Sequence, residues 1–529
     1  MPLGSTLQKS GLLTLIVISV ALPGRCELPC VRCHPKEVAG YGATPMAHSL
    51  GDVRREPPGN FAHVASGSKF SVAWTGGRML QRAEQNGSAQ EYAASYTIGS
   101  GEHAVGYLIE LREHLFQSPF CYYSQRGWGL APGYESSSSP NFSRPITPAC
   151  LFCHSGLARP KPGTLNTYQD PPFAQEAIGC ERCHGPADAH LHSPVPGSII
   201  NPARLPERAR DSVCEQCHLI GESRITNPGK QFSDFTAGQE LEDVFSVYVY
   251  DGSLDASRSN PFKVISQSQE LRLSKCWGMS SGKLWCGTCH DPHAQPSDPK
   301  AYFRMRCLAC HGAALLTTHT KPDEDCIGCH MPTREVTDGA HTTFTDHRIA
   351  RRPPTENIAE VPVEERKLVA WHEPPAELVA ARNLGLAEVE VGEKVRSKSL
   401  TLAGMQGLIS VWPKFQNDVP VTTAIGEVLF NVGENEHAAT AYEQAIKLEP
   451  NVATHYFQAA VAWHAAHDDT KAEDRLEKAL RLDPQLEQAY RLLGEIYFQA
   501  GDRDMAQRTH QRYLEAFPGN VAEQMAVRK

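Results

Sequence analysis

Gly179-Cys-Glu-Arg-Cys-His-Gly-Pro186 and Cys286-Gly-Thr-Cys-His-Asp-Pro-His293 share a five-residue pattern: two cysteines separated by two residues, then at once a histidine. The pattern occurs seven times, at Cys30/Cys33/His34, Cys150/Cys153/His154, Cys180/Cys183/His184, Cys214/Cys217/His218, Cys286/Cys289/His290, Cys307/Cys310/His311 and Cys326/Cys329/His330. Fourteen of the 17 cysteines belong to it. An exported chain this rich in cysteine ordinarily suggests a disulfide framework, but regular pairs each followed by histidine do not fit one. A zinc ribbon uses such pairs in twos and has no need of a histidine after every pair. A thiol oxidoreductase needs one reactive pair, not seven.

The chemistry that does need this order is covalent haem attachment. Two thiols three positions apart form thioethers to the vinyl groups, and the next residue supplies the proximal imidazole. The motifs therefore predict seven haem c groups. Outside them, the region from Cys30 to His347 holds ten histidines for the opposite side of the irons. His63, His103, His190, His293, His341 and His347 are the leading distal candidates, with His319 next and His48, His114 and His192 last. His190 and His293 follow proximal histidines too closely to wrap round the same haem, so each is expected to serve a neighbouring one. Methionines such as Met46, Met79, Met279 and Met305 are read as packing. Cys121 and Cys276 are either a pair or two inert thiols.

Working outward, the N-terminus reads as a secretory signal over residues 1–25. Lys9 precedes an apolar run from Leu12 to Leu22 that is too short to span a membrane. A retained anchor is the lesser reading, and Arg25 argues against a lipid anchor on Cys26. Export to the periplasm or the outer face of a bacterium is expected, with no retained span. A net charge of −9 without a long basic tract excludes a nucleic-acid partner.

Residues 26–350 are expected to form the haem domain: mostly short helices and loops packed on the haems, with a β-rich insertion at about 60–135. Strand-like runs such as Lys69-Phe-Ser-Val-Ala-Trp74 are broken there by Gly76-Gly77 and Asn86-Gly87. A second insertion over 231–285 carries a strand at Val244 to Tyr250. A Pro-rich linker follows at 351–376. Beyond it the cysteines stop, and Pro450, Pro484 and Pro518 recur every 34 residues, the period of a tetratricopeptide repeat. Ala438, Ala472 and Ala506 share one position of that period, Ala445 and Ala479 another, and Gly426 and Gly494 a third. Three repeats over 417–518, a degenerate helical pair at 377–416 and a tail at 519–529 complete the expected all-α solenoid. A helical bundle of purely structural use is the alternative.

Several segments together resemble a known family: Tyr-Thr-Ile-Gly-Ser-Gly-Glu-His (96–103), the two stretches quoted first, Asp-Cys-Ile-Gly-Cys-His-Met-Pro (325–332) and Phe-Thr-Asp-His-Arg-Ile (344–349). They are similar to bacterial multihaem cytochromes related to the tetrahaem cytochromes of ammonia oxidisers and the octahaem hydroxylamine oxidoreductases. The nearest resemblance is to the family that fuses such a domain to tetratricopeptide repeats. It implies histidine distal ligands and stacked haem pairs. The lysine-ligated catalytic haem of the nitrite-reducing relatives has no counterpart, since no Cys-x-x-Cys-Lys occurs here. Neither an eighth haem nor a cross-linked tyrosine can be identified.

Electron transfer between redox proteins, with the repeats recruiting a partner, is the expectation. The alternative is an oxidoreductase acting on a small nitrogen or sulfur compound at one five-coordinate haem. A scaffold in which the haems act as a sensor is the weakest of the three.

Overall fold

The computed structural model describes residues 28–253, 262–312, 316–317, 319, 325–339, 342–351, 365–372 and 376–520. The expected signal segment, Cys26, His341, Pro353-Pro354, Pro374-Pro375 and most of the tail lie outside them.

The first half corrects the expected fold class. It is not a domain of short helices and loops packed on haems, because it builds sheets with protein cores of their own. β1 (Leu50–Gly51), β2 (Gly59–His63), β3 (Ser68–Thr75), β4 (Arg78–Gln85), β5 (Ser88–Ala93), β6 (Tyr96–Ile98), β7 (Ala104–Leu111), β8 (His114–Tyr123), β9 (Gly127–Leu130) and β10 (Arg144–Pro145) form two antiparallel sheets. One has the order β2-β3-β4-β5, and the other β1-β6-β7-β8-β10 with β9 also on β8. The physical reason is visible in β3, where Ser68, Phe70 and Val72 are buried and the residues between them exposed. The rings of Phe61, Phe70 and Phe120 join the two sheets at 4.7–5.6 Å. Each buried Phe contributes about 1.5–3 kcal/mol, so this core stands without a cofactor. β structure also continues past the expected insertion. β11 (Leu157–Pro160) pairs with β12 (Tyr168–Gln175), and β13 (Ser223–Thr226) with β14 (Phe245–Tyr250). β15 (Thr333–Glu335) pairs with β16 (Thr343–Thr345), and β17 (Leu368–Ala370) adds to β14.

The second half is helical. Helices Glu377–Val395, Lys398–Phe415, Val419–Asn431, Asn435–Leu448, Ala453–Ala465, Asp469–Leu482, Glu487–Gln499 and Arg503–Ala516 follow one another in antiparallel pairs. Ala438, Ala445, Ala472 and Ala479 have no exposed surface, which lets adjacent helices approach while Leu476 and Leu493 fill the seam. In the first pair Gly385 and Gly404 allow the approach: a Cβ on Gly404 would lie 2.7 Å from the Gly385 carbonyl.

The halves are joined at two places. Helix Glu377–Val395 lies on the β13-β14-β17 sheet. There buried Arg382 donates to Asp418 at 2.9 Å and to the Thr226 carbonyl at 2.6 Å, and Asn383 donates to Asn227 and Ser246. The β7–β8 turn reaches the later repeats. Arg112 donates to the Glu515 carbonyl, His114 pairs with Asp483 at 3.0 Å, and Leu111 packs on the repeat core. Arg112 and Glu113 both take positive φ, 49° and 68°, as a two-residue hairpin turn of this twist requires.

Candidate functional site

Each motif places its chemistry by local geometry alone. The Cys30 carbonyl accepts from His34 at 2.8 Å, that of Cys180 from His184 at 2.9 Å, and that of Cys286 from His290 at 2.9 Å. Positions i, i+3 and i+4 of such a turn share one face, so both thiols and the imidazole point the same way. Helices Pro148–His154, Glu207–His218, Pro299–His311 and Cys326–His330 carry the other four motifs at their C-terminal ends.

The fold then sets motif imidazoles opposite distal candidates. Ring centroids are 6.3 Å apart for His34 and His190, 5.7 Å for His184 and His293, 6.2 Å for His290 and His347, and 6.0 Å for His330 and His319. In the second pair the two Nε2 atoms are 3.4 Å apart. That is shorter than the centroid distance by about two imidazole radii, so these rings meet nitrogen to nitrogen and not face to face. A metal held by two imidazoles at about 2 Å each needs about 4 Å between the nitrogens. In four of these rings the outer nitrogen is engaged, as in metal-ligating histidines. Nδ1 of His184 donates to the Ile200 carbonyl, that of His330 to Ala350, and that of His347 to Thr345, while Nδ1 of His190 is bonded to Ser198 Oγ. Nδ1 of His293 faces the Asp291 carboxylate at 3.6 Å. With its Nδ1 on a carbonyl, His184 turns its Nε2 lone pair toward Nε2 of His293. Burial also holds imidazoles neutral: it pushes His290 down to about 4 and lowers His154, His184, His218 and His347. The residues present fit haem iron.

Other candidates are placed elsewhere. His63 bonds Ser66 Oγ through Nδ1 and the Glu135 carbonyl through Nε2, and His103 lies against the Phe344 ring at 4.4 Å. His192 donates to Asp188 within its own helix. The Nε2 of His114 is taken by Asp483, and its Nδ1 donates to the Arg112 carbonyl. His48 follows no motif imidazole; its carbonyl accepts from Arg54. Among the described residues no ring contact pairs His154 or His311 with another imidazole, whereas His218 lies within electrostatic range of His347 and His290. Nor do three or more His, Cys, Asp or Glu side chains among them converge as a metal ion held by the chain alone would need.

The fourteen motif thiols differ in exposure. Cys33, Cys150, Cys310 and Cys329 are exposed, whereas the other ten are half-buried. Cys33 and Cys329 are the second thiols of the first and last motifs. Cys150 and Cys310 also reach solvent, although Cys150 Sγ lies 3.4 Å from Thr147 Oγ1. The chain itself therefore leaves Cys33 and Cys329 open to solvent.

Thiols of different motifs come close. Cys153 lies near Cys217, Cys214 near Cys286, and Cys307 near Cys326. The Cys217 contact, then Arg224 and Arg182, lower Cys153, whereas the Cys286 contact and burial raise Cys214. No disulfide joins any of the described cysteines. Burial raises Cys183 and Cys289 as well. Cys121 sits in the β core, where burial pushes it up to about 12, while Cys276 lies near Cys310.

Three features escaped the sequence reading. Arg182 and Arg224 flank the Phe152 ring, at 4.4 and 5.4 Å. His372, within the expected linker, contacts Glu215 of the fourth motif and Arg272. Gly40 admits the His293 loop, since a Cβ there would lie 2.3 Å from the His293 carbonyl. None carries a spacing signal in a single sequence, because their partners are far along the chain.

Residues 134–185, which span the second and third motifs, match the family model "Cytochrome c554 and c-prime". Residues 422–452 match a tetratricopeptide repeat. No curated protein matches the chain. Among solved structures, a MamA crystal structure is 21% identical, with 27% of this chain and 79% of that chain covered and a TM-score of 0.24. A MamA fragment from Desulfovibrio magneticus RS-1 is 18% identical, with 26% and 75% covered and a TM-score of 0.24. Among the described residues no helix is long and apolar enough to cross a membrane. The chain carries a cytochrome c554-like region, whose match points to haem c, and a tetratricopeptide repeat.

Proposed function

We propose that the chain is an exported multihaem c-type cytochrome that transfers electrons, holding one haem c at each of the seven motifs and binding a protein partner through its repeats. Kinship with the tetrahaem cytochromes of ammonia oxidisers and the octahaem hydroxylamine oxidoreductases is part of the same reading. The observation that carries it is the set of four facing imidazole pairs, above all His184 and His293 with their Nε2 atoms 3.4 Å apart. Bound haem supplies one-electron chemistry at iron. The chain's own residues attach it through paired thiols, orient the imidazoles through their Nδ1 partners, and bring the motifs into contact. Those contacts link the second motif to the fourth, the fourth to the fifth, and the sixth to the seventh.

The test is the haem content of the mature protein and its EPR spectrum. Seven haems per chain are expected, with His184 and its partner giving a low-spin signal that His293→Ala converts to high spin. A chain that matures without covalent haem overturns the proposal. A second reading, an oxidoreductase with an open iron, is favoured by His154, which is half-buried and makes no ring contact with another imidazole among the described residues. Binding of cyanide or nitric oxide by the unaltered protein distinguishes it from pure electron transfer.

A further inference from the structure

The second, third and fourth motifs interlock through the residue that precedes the second cysteine of each. Arg182 of the third motif donates to the Phe152 carbonyl of the second at 2.8 Å. Gln216 of the fourth donates to the Arg182 carbonyl at 3.1 Å. Arg224 of β13 closes the knot, donating through one Nη to the Gln216 carbonyl at 2.9 Å and through the other to Cys153 Sγ at 3.5 Å. The two guanidiniums are compensated by aromatic faces. Arg182 lies over Phe152, and Arg224 lies 4.5–5.4 Å from the rings of Phe152, Phe232 and Phe245. Both Nε atoms are buried without a hydrogen-bond partner.

Other arginines of the motif region, one of them at the fourth motif itself, are paired with carboxylates. Arg272 pairs with Glu215 at 3.5 Å, Arg348 with Glu270 at 3.2 Å, and Arg334 with Asp346 at 3.2 Å. Among the described residues no carboxylate forms an ion pair with Arg182 or Arg224. Their positive charge is therefore left largely uncancelled beside the sulfur of Cys153 and its contact, Cys217.

We infer that the Arg182–Arg224 pair raises the reduction potentials of the haems attached at the second, third and fourth motifs above what imidazole ligation alone would set. The inference rests on the proposed attachment of haem at those motifs. Reduction removes one positive charge from the iron, so a fixed cation nearby stabilises the reduced form. At an effective dielectric of about 20, one unit charge about 12 Å away changes such an equilibrium roughly tenfold. Both arginines are positioning residues of the electrostatic kind: they set the energy of an electron at these sites and do not bind the iron.

Spectroelectrochemical titration of the full-length, haem-loaded protein tests this. Arg224→Gln is expected to lower the potential of a subset of haems by about tenfold in equilibrium constant, or about 59 mV for one electron. Arg224→Lys, which keeps the charge, should restore most of the shift. Arg182→Gln gives the same direction at a less enclosed position should Arg224→Gln misfold. Unmoved potentials in Arg182→Gln and Arg224→Gln, or a fall in Arg224→Lys equal to that in Arg224→Gln, would overturn the inference. Absence of haem from these three motifs in the unaltered protein overturns the attachment reading instead. Haem content and potentials are separate measurements, so the two failures are distinguishable.

Discussion

The helices of the motif region and those of the repeats differ in what they pack against. Helix Pro299–His311 has 13 residues and buries none of them, and the helices Glu181–His184, Lys275–Met279, Cys286–Cys289 and Cys326–His330 also bury none. Helix Glu487–Gln499, equally 13 residues long, buries six, among them Tyr490, Leu493 and Ile496. Isolated helices shorter than about 12–15 residues are marginal in water. Repeat helices therefore draw their stability from neighbouring helices, whereas the motif helices between residues 275 and 330 have little protein to lean on. The β core beside them resembles the repeats in being self-sufficient. Local order around the later motifs thus depends on what is attached there.

The largest expected effect breaks the molecule along this line. Chain produced without haem attachment should lose residues 275–330 to limited proteolysis, while the repeats and the β sheets persist as protected fragments. Equal protection of both regions, read by mass spectrometry, would remove the contrast.

A smaller but still large effect is expected at the junction. Arg382→Ala leaves Asp418 and Asn383 without their buried partner and should cost about 3–5 kcal/mol, measured by denaturant unfolding of the repeat region. Within the repeats, Leu476→Ala at a fully buried seam position should cost about 2–5 kcal/mol. Met305→Ala, on the exposed side of helix Pro299–His311, should stay within about 0.5 kcal/mol in haem-free protein.

The smallest effect is a pH dependence of the contact between the regions. The hydrogen bond and charge of Asp483, with the Arg112 carbonyl and Glu113, outweigh burial and raise His114 above its ordinary 6.5. A raised folded value means that this contribution is complete below about pH 6.5 and is lost as pH rises through the folded value. Docking of the β7–β8 turn on the repeats, followed by hydrogen exchange at Arg112 and Glu113, should loosen in that direction. His114→Gln should abolish the dependence. A pH profile unchanged by that substitution would assign the loosening to another group.

Legibility follows the same division. The motif faces could be read because cysteine, cysteine and histidine lie within one helical turn, and the 34-residue period could be read because each repeat carries its own helix pair. Exposure of the individual thiols could not, since Cys33 and Cys183 occupy the same motif position and differ only in what distant chain lies over them. The two sheets of residues 50–145 were foreseen only in part. β3 alternates cleanly, but β8 buries residues on both faces, from Leu115 and Phe116 to Phe120 and Cys121, and so shows no period of two. Concentrating on haem chemistry also hid the capacity of Phe61, Phe70, Val72, Tyr107 and Phe120 to form a core without it.

By itself, the sequence determined the chemistry offered at each motif and the helical character of the repeats, since both depend on residues within a few turns of one another. Tertiary structure alone decided which imidazoles meet. His34 and His190, or His184 and His293, are brought together by sheets and loops whose contacts are spread along the chain. It likewise decided that Arg182 and Arg224 lie among phenylalanines and not beside carboxylates. A side chain's type is local information, but the partner and the dielectric that give it a potential are set by the packing of distant segments.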